Sequence, residues 1–550
     1  MAAAETIPET ESDYVVVGAG SAGAVLANRL SEDGHRSVTV LEAGGSDWNV
    51  WVQIPLGYGR CFFHSALNWR LETEACDALG GRRNYWPRGK VMGGSSSINA
   101  MVWVRGHPAD FDDWAREAPG WSWADVAPVF RRMEDWSGGA NDHRGAGGPL
   151  PVRDITAEVH PLCTRYRAAA AELQIPWNDD YNGASMEGAS IYQITTKGGF
   201  RASTARCYLR PALGRANLRL ELHAEVTRIL IEGGRAVGVE FRRNGRLARV
   251  RARREVILSA GAIGSPKILQ LSGLGPAEHL ARLGIPVHRD MREVGRNLQD
   301  HLGLSNIYRT RVPTLNQVLR PWSGRIRCGL DYVFRRRGPL SMSVNQGGGF
   351  LRLRPEADRP DIQVYFSPLS YSVTTPGYRA LMEPDAFPGL ILGFNPTKPT
   401  SRGHLAIRTA DPSDPPEIHP NYLATEDDRA LIREGVRLMR RIAAAPALAE
   451  VIDAEVTPGD QCQSDDELGA FARDHASTVF HPCGTCRMGR AESGAVVDHR
   501  LRVHGVAGLR VVDASIFPTI PTGNTNAPAI MVGERGAELI REDAALGAVA

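Results

Sequence analysis

Residues 13 to 30 read DYVVVGAGSAGAVLANRL, and this stretch decides the fold. A β-branched run, Val15-Val16-Val17, ends in Gly18-Ala19-Gly20-Ser21-Ala22-Gly23 and passes into a helical pattern, so the segment predicts strand, tight turn and helix. Each glycine has its own task. Gly18 permits the turn, Gly20 lets the backbone approach a pyrophosphate whose charge the helix N-terminus favours, and Gly23 lets helix and strand pack closely. The next apolar run, Ser37 to Leu41, delivers Glu42 at a strand end, placed to accept hydrogen bonds from an adenosine ribose and to repel a 2′-phosphate. Strand, glycine turn, helix and acidic residue together predict a dinucleotide site in an α/β domain.

About seventy residues further on lies a second glycine-rich stretch, WPRGKVMGGSSSIN at 86 to 99, and the pairing of two phosphate-type loops points to a flavin dinucleotide. Around these motifs the chain reads as a globular protein. Its 550 residues exceed one typical core, which predicts two domains. Without repeats, low-complexity tracts or obvious linkers, domains built from discontinuous segments are favoured. Basic and acidic residues nearly balance, 64 against 62, which leaves no footprint for nucleic acid or an anionic membrane. Only four of the basic residues are lysines, and the arginines are spread along the whole length.

The N-terminus, MAAAETIPETESD, is acidic with no apolar core, and no apolar run approaches the ~18 residues needed to cross a bilayer. Eight scattered cysteines form no disulfide framework. The expectation is a cytoplasmic protein, with attachment to the periphery of the inner membrane face left open. Helices are predicted over 160 to 173, 203 to 213 (capped by Ser203), 425 to 446, 465 to 475 and 527 to 540. Strands with hairpin turns at Gly233-Gly234 and Asn244-Gly245 lead to a buried strand at Val256-Ile257-Leu258, and another strand is expected at 509 to 512.

Taken together, the motifs resemble those of the glucose-methanol-choline (GMC) oxidoreductases over nearly the full length. The resemblance is carried by the two glycine motifs, GAIGSPKILQLSGLG at 261 to 275, GRNLQDH at 295 to 301, HPCGTCRMG at 481 to 489 and VVDASIFPTIPTGNTNAPAIM at 511 to 531. It implies FAD and an α/β flavin-binding, Rossmann-like domain interleaved with an α+β substrate domain built on an antiparallel sheet. Residues 1–158, 205–310 and 472–550 fall in the first, and 159–204 and 311–471 in the second. By motif position it places Gly18, Gly20, Ser21, Ala22, Gly23, Glu42, Ala43, Arg88, Gly93, Gly94, Ser95, Asn99, Ala100, Val102, Val226, Asp513, Ala514 and Asn526 at the cofactor. Some relatives attach FAD through a histidine just before the asparagine of the second loop. Here that position is Ile98, which predicts a non-covalent flavin.

Alcohol oxidation needs the hydroxyl proton to leave as carbon gives up hydride, because a neutral alcohol is a poor hydride donor. A histidine is suited to take that proton. The resemblance assigns this role to His481, with Asn524 as hydrogen-bond partner of the substrate oxygen. The expected partner is a small alcohol. The electron acceptor is left open between oxygen and a quinone- or dye-like molecule, with a dehydrogenase preferred. Choline-type relatives carry a glutamate just before a small-Gly-Gly-Phe element. This chain has Gln346 there, which predicts a preference for uncharged primary alcohols over choline.

Other readings are weaker. His223-Ala-Glu225 with Pro482-Cys483 and Cys486 matches the letters of a zinc deaminase, but more than 250 residues separate the halves, so no metal is expected. Cys483 and Cys486 read as small residues of a buried loop ahead of a redox pair. No GxSxG elbow supports a hydrolase. The same scaffold hosts hydroxynitrile lyases, which remain the alternative of another class, and light-driven fatty-acid decarboxylases, which lack a histidine at the position of His481.

Overall fold

A computed structural model describes residues 8 to 371 and 383 to 546. The sequence readings of residues 1 to 7, 372 to 382 and 547 to 550 lie outside them. Two seven-stranded sheets organise the chain. In the first, the strand Glu9–Val17 lies between Val38–Glu42 and the thirteen-residue strand Arg246–Leu258, parallel to both, with Leu218–Leu222 beyond Val38–Glu42. Arg246–Leu258 belongs to two patterns at once. Its last residues, Val256 to Leu258, are fully buried and pair in parallel with Val15–Val17 on one side and Leu509–Val511 on the other. Its first half alternates in burial and closes an antiparallel meander with Arg235–Arg243 and Ala224–Glu232 through the two predicted glycine hairpins. Buried parallel strands require near-continuous apolar sequence and half-exposed antiparallel ones require alternation, and this strand carries both in succession.

The second sheet is antiparallel, in the order Ile452–Thr457, Leu302–Thr310, Gly389–Pro396, Ile362–Ser367, Gly347–Leu351 and Gly188–Ile191. The helix Glu426–Ala444 covers its centre. A Cβ at Gly435 would lie 2.1 Å from the ring of Phe394, so only glycine admits this contact. The helices Leu162–Glu172, Asp465–His475 and Asn526–Leu546 fall where their patterns predict.

Two expectations are corrected. Residues 302 to 310, assigned from sequence to the dinucleotide-binding part, pair instead within the second sheet, as do Ser477–Thr478. An isolated strand carries no mark of which sheet it joins. Residues 203 to 213 form not a regular α-helix but a π-helical segment, Ala205–Leu209, that runs into Arg210–Ala212, while the predicted cap Ser203 accepts from Arg206 N through its hydroxyl at 3.3 Å. Pro211, which cannot donate to the helical ladder, explains the irregularity.

Candidate active site and dinucleotide cleft

A cleft of about 730 Å³ runs from the C-terminal ends of the first sheet's parallel strands to one face of the second sheet. At one end the glycine turn behaves as its spacing predicts. Gly18 has φ of 99°, and a Cβ there would lie 2.5 Å from the Ser259 carbonyl oxygen, while a Cβ on Gly23 would lie 1.9 Å from that of Gly18. Gly20 is different. The nearest atom to a Cβ there is 3.9 Å away, on Gly94, so this glycine leaves open space on the cleft side. The two glycine loops meet backbone to backbone, since a Cβ on Gly94 would sit 2.7 Å from the Cα of Gly20, and the Gly93 N–H donates to the Ala19 carbonyl at 2.8 Å.

All the sequence-predicted site residues line this cleft except Gly23 and Gly93, which pack behind it. Three helix N-termini border it, those of Gly23–Leu30, Gly261–Leu271 and Asn526–Leu546, and the dipoles of such ends suit a pyrophosphate. The Ser21 hydroxyl donates to Asn526 Oδ1 at 2.7 Å, tying the first helix to the third. Asp513 ties in the second by accepting from Gly261 N at 2.9 Å and Ser265 Oγ at 2.5 Å. Glu42 accepts from the N–H groups of Ala19 at 2.9 Å and Gly44 at 2.8 Å, and burial pushes its carboxyl up to about 7. Each oxygen keeps a second acceptor site, enough for a ribose hydroxyl. Asn99 accepts from Met101 N and from Arg201 Nη1, and the Arg88 guanidinium donates to the Phe480 carbonyl. Burial lowers Arg88 to about 10, which keeps it charged at neutral pH. The open cradle at Gly20, the helix ends and the Glu42 carboxylate fit a dinucleotide such as FAD.

At the other end stands a chain of side chains that fixes proton positions. His301 Nε2 lies 2.8 Å from the Thr397 carbonyl, which can only accept, so this nitrogen carries hydrogen. Neutral His301 then has a bare Nδ1, and His481 Nδ1, 3.0 Å away, must donate to it. That leaves His481 Nε2 with a lone pair, which accepts from Asn524 Nδ2 at 3.0 Å. Asn524 Oδ1 in turn accepts from Gln363 Nε2 at 3.1 Å, which fixes the amide's orientation. The tautomers follow from these partners. Burial, helped by the neighbouring His301 and the Arg88 charge, holds His481 well below the usual histidine range, and burial lowers His301 to about 4. Both rings are neutral at pH 7. The backbone N–H of His481 donates to Asp300 at 2.7 Å, and Asp300 also accepts from Tyr422 and Thr478 hydroxyls.

The sequence reading missed His301, Asp300 and Gln363. The first two lie in GRNLQDH, noticed as a motif but given no chemistry. Gln346 is a correction. Its Oε1 accepts from His160 N at 2.7 Å and it does not line the cleft, so a residue here cannot face a substrate. Cys483 and Cys486 are free and buried, with thiols pushed well up by burial, as the structural reading of that pair requires. No cluster of three or more potential metal ligands occurs among the described residues.

Comparison with known proteins agrees with this architecture. Two GMC oxidoreductase family models match, over residues 12–303 and 399–533. The oxygen-dependent choline dehydrogenase of Vibrio vulnificus is 43% identical over 96% of this chain and 94% of its own length. The alcohol dehydrogenase [acceptor] of Pseudomonas putida is 40% identical over 96% of this chain and 95% of its own. Among solved structures, pyridoxine 4-oxidase from Mesorbium loti superposes with a TM-score of 0.88 at 33% identity, covering 96% of this chain and 99% of that one. The chain belongs to the GMC oxidoreductase family, FAD-dependent enzymes acting on CH–OH donors.

Proposed function

We propose that the protein oxidises an uncharged primary alcohol to an aldehyde with a non-covalently held FAD, His481 acting as general base and Asn524 as partner of the substrate oxygen. The observation that carries this reading is the directed hydrogen-bond chain ending at the bare Nε2 of His481 in the cleft. FAD, which the two glycine loops, Glu42 and Asp513 would hold, would supply the acceptor for the substrate's hydride. The protein's own part is to take the proton. An alcohol bound against His481 Nε2 loses its hydroxyl proton to that nitrogen, while Asn524 Nδ2, held by Gln363, turns its donor to the alkoxide oxygen. The imidazolium so formed is disfavoured by burial and gives the proton up again readily.

Neutrality of the substrate is supported by the cleft wall that the second sheet and its approach provide, Ser305, Asn345, Tyr365, Ser367 and Ile391, which carry no charge. Of the five carboxylates along the cleft, Glu42, Glu72, Glu74, Glu225 and Asp513, Glu42 and Asp513 accept from backbone N–H groups and Glu74 pairs with Arg83 and Arg408. Choline is the second reading. The names of the relatives favour it, and aromatic residues such as Tyr58, Phe62 and Tyr365 line the cleft, where rings could meet a quaternary ammonium.

Anaerobic addition of alcohols to the yellow enzyme tests the assignment. Hexanol and benzyl alcohol are expected to bleach the flavin band at low concentration, and choline poorly. Equal or better bleaching by choline would overturn the neutral-substrate reading, and turnover with the flavin still oxidised would point to a lyase. The same panel, assayed for hydrogen peroxide against dye reduction, separates oxidase from dehydrogenase. Acid precipitation should release intact FAD into the supernatant, because Ile98 offers no nitrogen for a covalent bond; flavin retained in the pellet would refute that.

A further inference from the structure

No helix among the described residues is long and apolar enough to cross a membrane, yet one presents an apolar face to solvent. The helix Trp322–Arg335 is fastened to the protein by Cys328 and Tyr332, both buried, with the Tyr332 hydroxyl donating to the Gly199 carbonyl at 2.9 Å. On its other side Trp322 is 76% exposed, Ile326 52%, Leu330 54%, Val333 58% and Phe334 79%. At about 100° per residue these five fall within roughly 120° of arc, opposite the two anchors. Single exposed apolar residues are ordinary on protein surfaces, but five large ones on one stripe are not.

The charges beside this stripe are nearly all of one sign. Arg320, Arg325, Arg327, Arg335, Arg336 and Arg337 are exposed, and Asp331 is the only acidic residue between Arg320 and Arg337. We propose that the helix Trp322–Arg335 docks the protein on an anionic phospholipid surface, its apolar stripe entering the headgroup and acyl boundary and its arginines meeting lipid phosphates. Charge decides the occupant. A second copy would bring an identical arginine set against this one, whereas acidic headgroups complement it and long arginine stems reach them while the apolar residues sink deeper.

Flotation of the FAD-loaded enzyme with vesicles tests this. Enzyme should float with vesicles of equal parts phosphatidylglycerol and phosphatidylcholine and hardly at all with phosphatidylcholine alone. Ile326→Glu with Leu330→Glu should lower binding at least ~10-fold by placing charge in the apolar stripe. Arg327→Gln with Arg335→Gln and Arg337→Gln should lower it about 100-fold, at about 1 kcal/mol for each charge near the surface. Both variants should keep wild-type melting temperature and wild-type turnover with a soluble dye. Wild-type enzyme that fails to float with the anionic vesicles, or variants that float as well as it does, would overturn the proposal. A dimer dissolved by the glutamate pair, without flotation, would assign the face to a second copy and overturn it equally.

Discussion

His481→Ala should lower turnover by roughly 10²- to 10⁴-fold, the usual worth of a positioned general base, with FAD still bound. The cofactor is expected to stay because the glycine loops, Glu42 and Asp513 are fixed by their own hydrogen bonds and none of these involves His481. The pH profile should be equally informative. Because burial, His301 and Arg88 hold the His481 ring well below 6.5, its Nε2 stays bare as pH falls through the range where a free histidine takes a proton. Activity should therefore persist through pH 6.5, with any limb due to His481 at more acid pH. His301→Asn, which disturbs the proton order but leaves the base, should cost less, about 10- to 100-fold, in the manner of groups that orient a functional histidine. Normal turnover in holoenzyme lacking the His481 ring would remove it from the assigned role, and a limb at 6.5 that vanishes with it would show that burial does not hold the ring down.

The parts of this site that were legible in the sequence are those where local backbone geometry imposes residue type. Gly18, Gly20 and Gly23 have separate tasks that their spacing alone states, and the clash distances of 2.5 Å and 1.9 Å at the outer two against the open space at the middle one follow the same division. Val256-Ile257-Leu258 announced a strand buried on both faces for a similarly local reason. His301 could not be read this way. Its meaning lies in a hydrogen bond to a residue 180 positions later and another to a carbonyl 96 positions away, and neither leaves a pattern in its neighbours. Gln346 shows the opposite error. A motif position suggested a substrate contact, but the Gly347–Leu351 strand it precedes brings its amide to His160 N instead. A strand alternates its faces, so a side chain's direction depends on register, and register is set by partners elsewhere in the chain.

Asn524→Ala should slow flavin reduction by about 10²- to 10³-fold, the scale on which a single donor to a developing oxyanion acts in a site shielded from water. Its amide is well placed for that. Gln363 holds Oδ1, leaving Nδ2 as the only end directed at His481 Nε2, the atom beside which the substrate oxygen must lie to lose its proton. An amide does not titrate, so the variant should lose rate at every pH by a similar factor and leave the limbs of the profile where they were. Asn524→Asp separates hydrogen bonding from charge, since a carboxylate there would repel the alkoxide and favour a protonated His481, moving the profile as well as depressing it. Stopped-flow reduction of the flavin under anaerobic conditions measures the step directly. An unchanged reduction rate in Asn524→Ala would show that the amide merely braces the His481 ring, and the alkoxide would then have to find its donor elsewhere in the cleft.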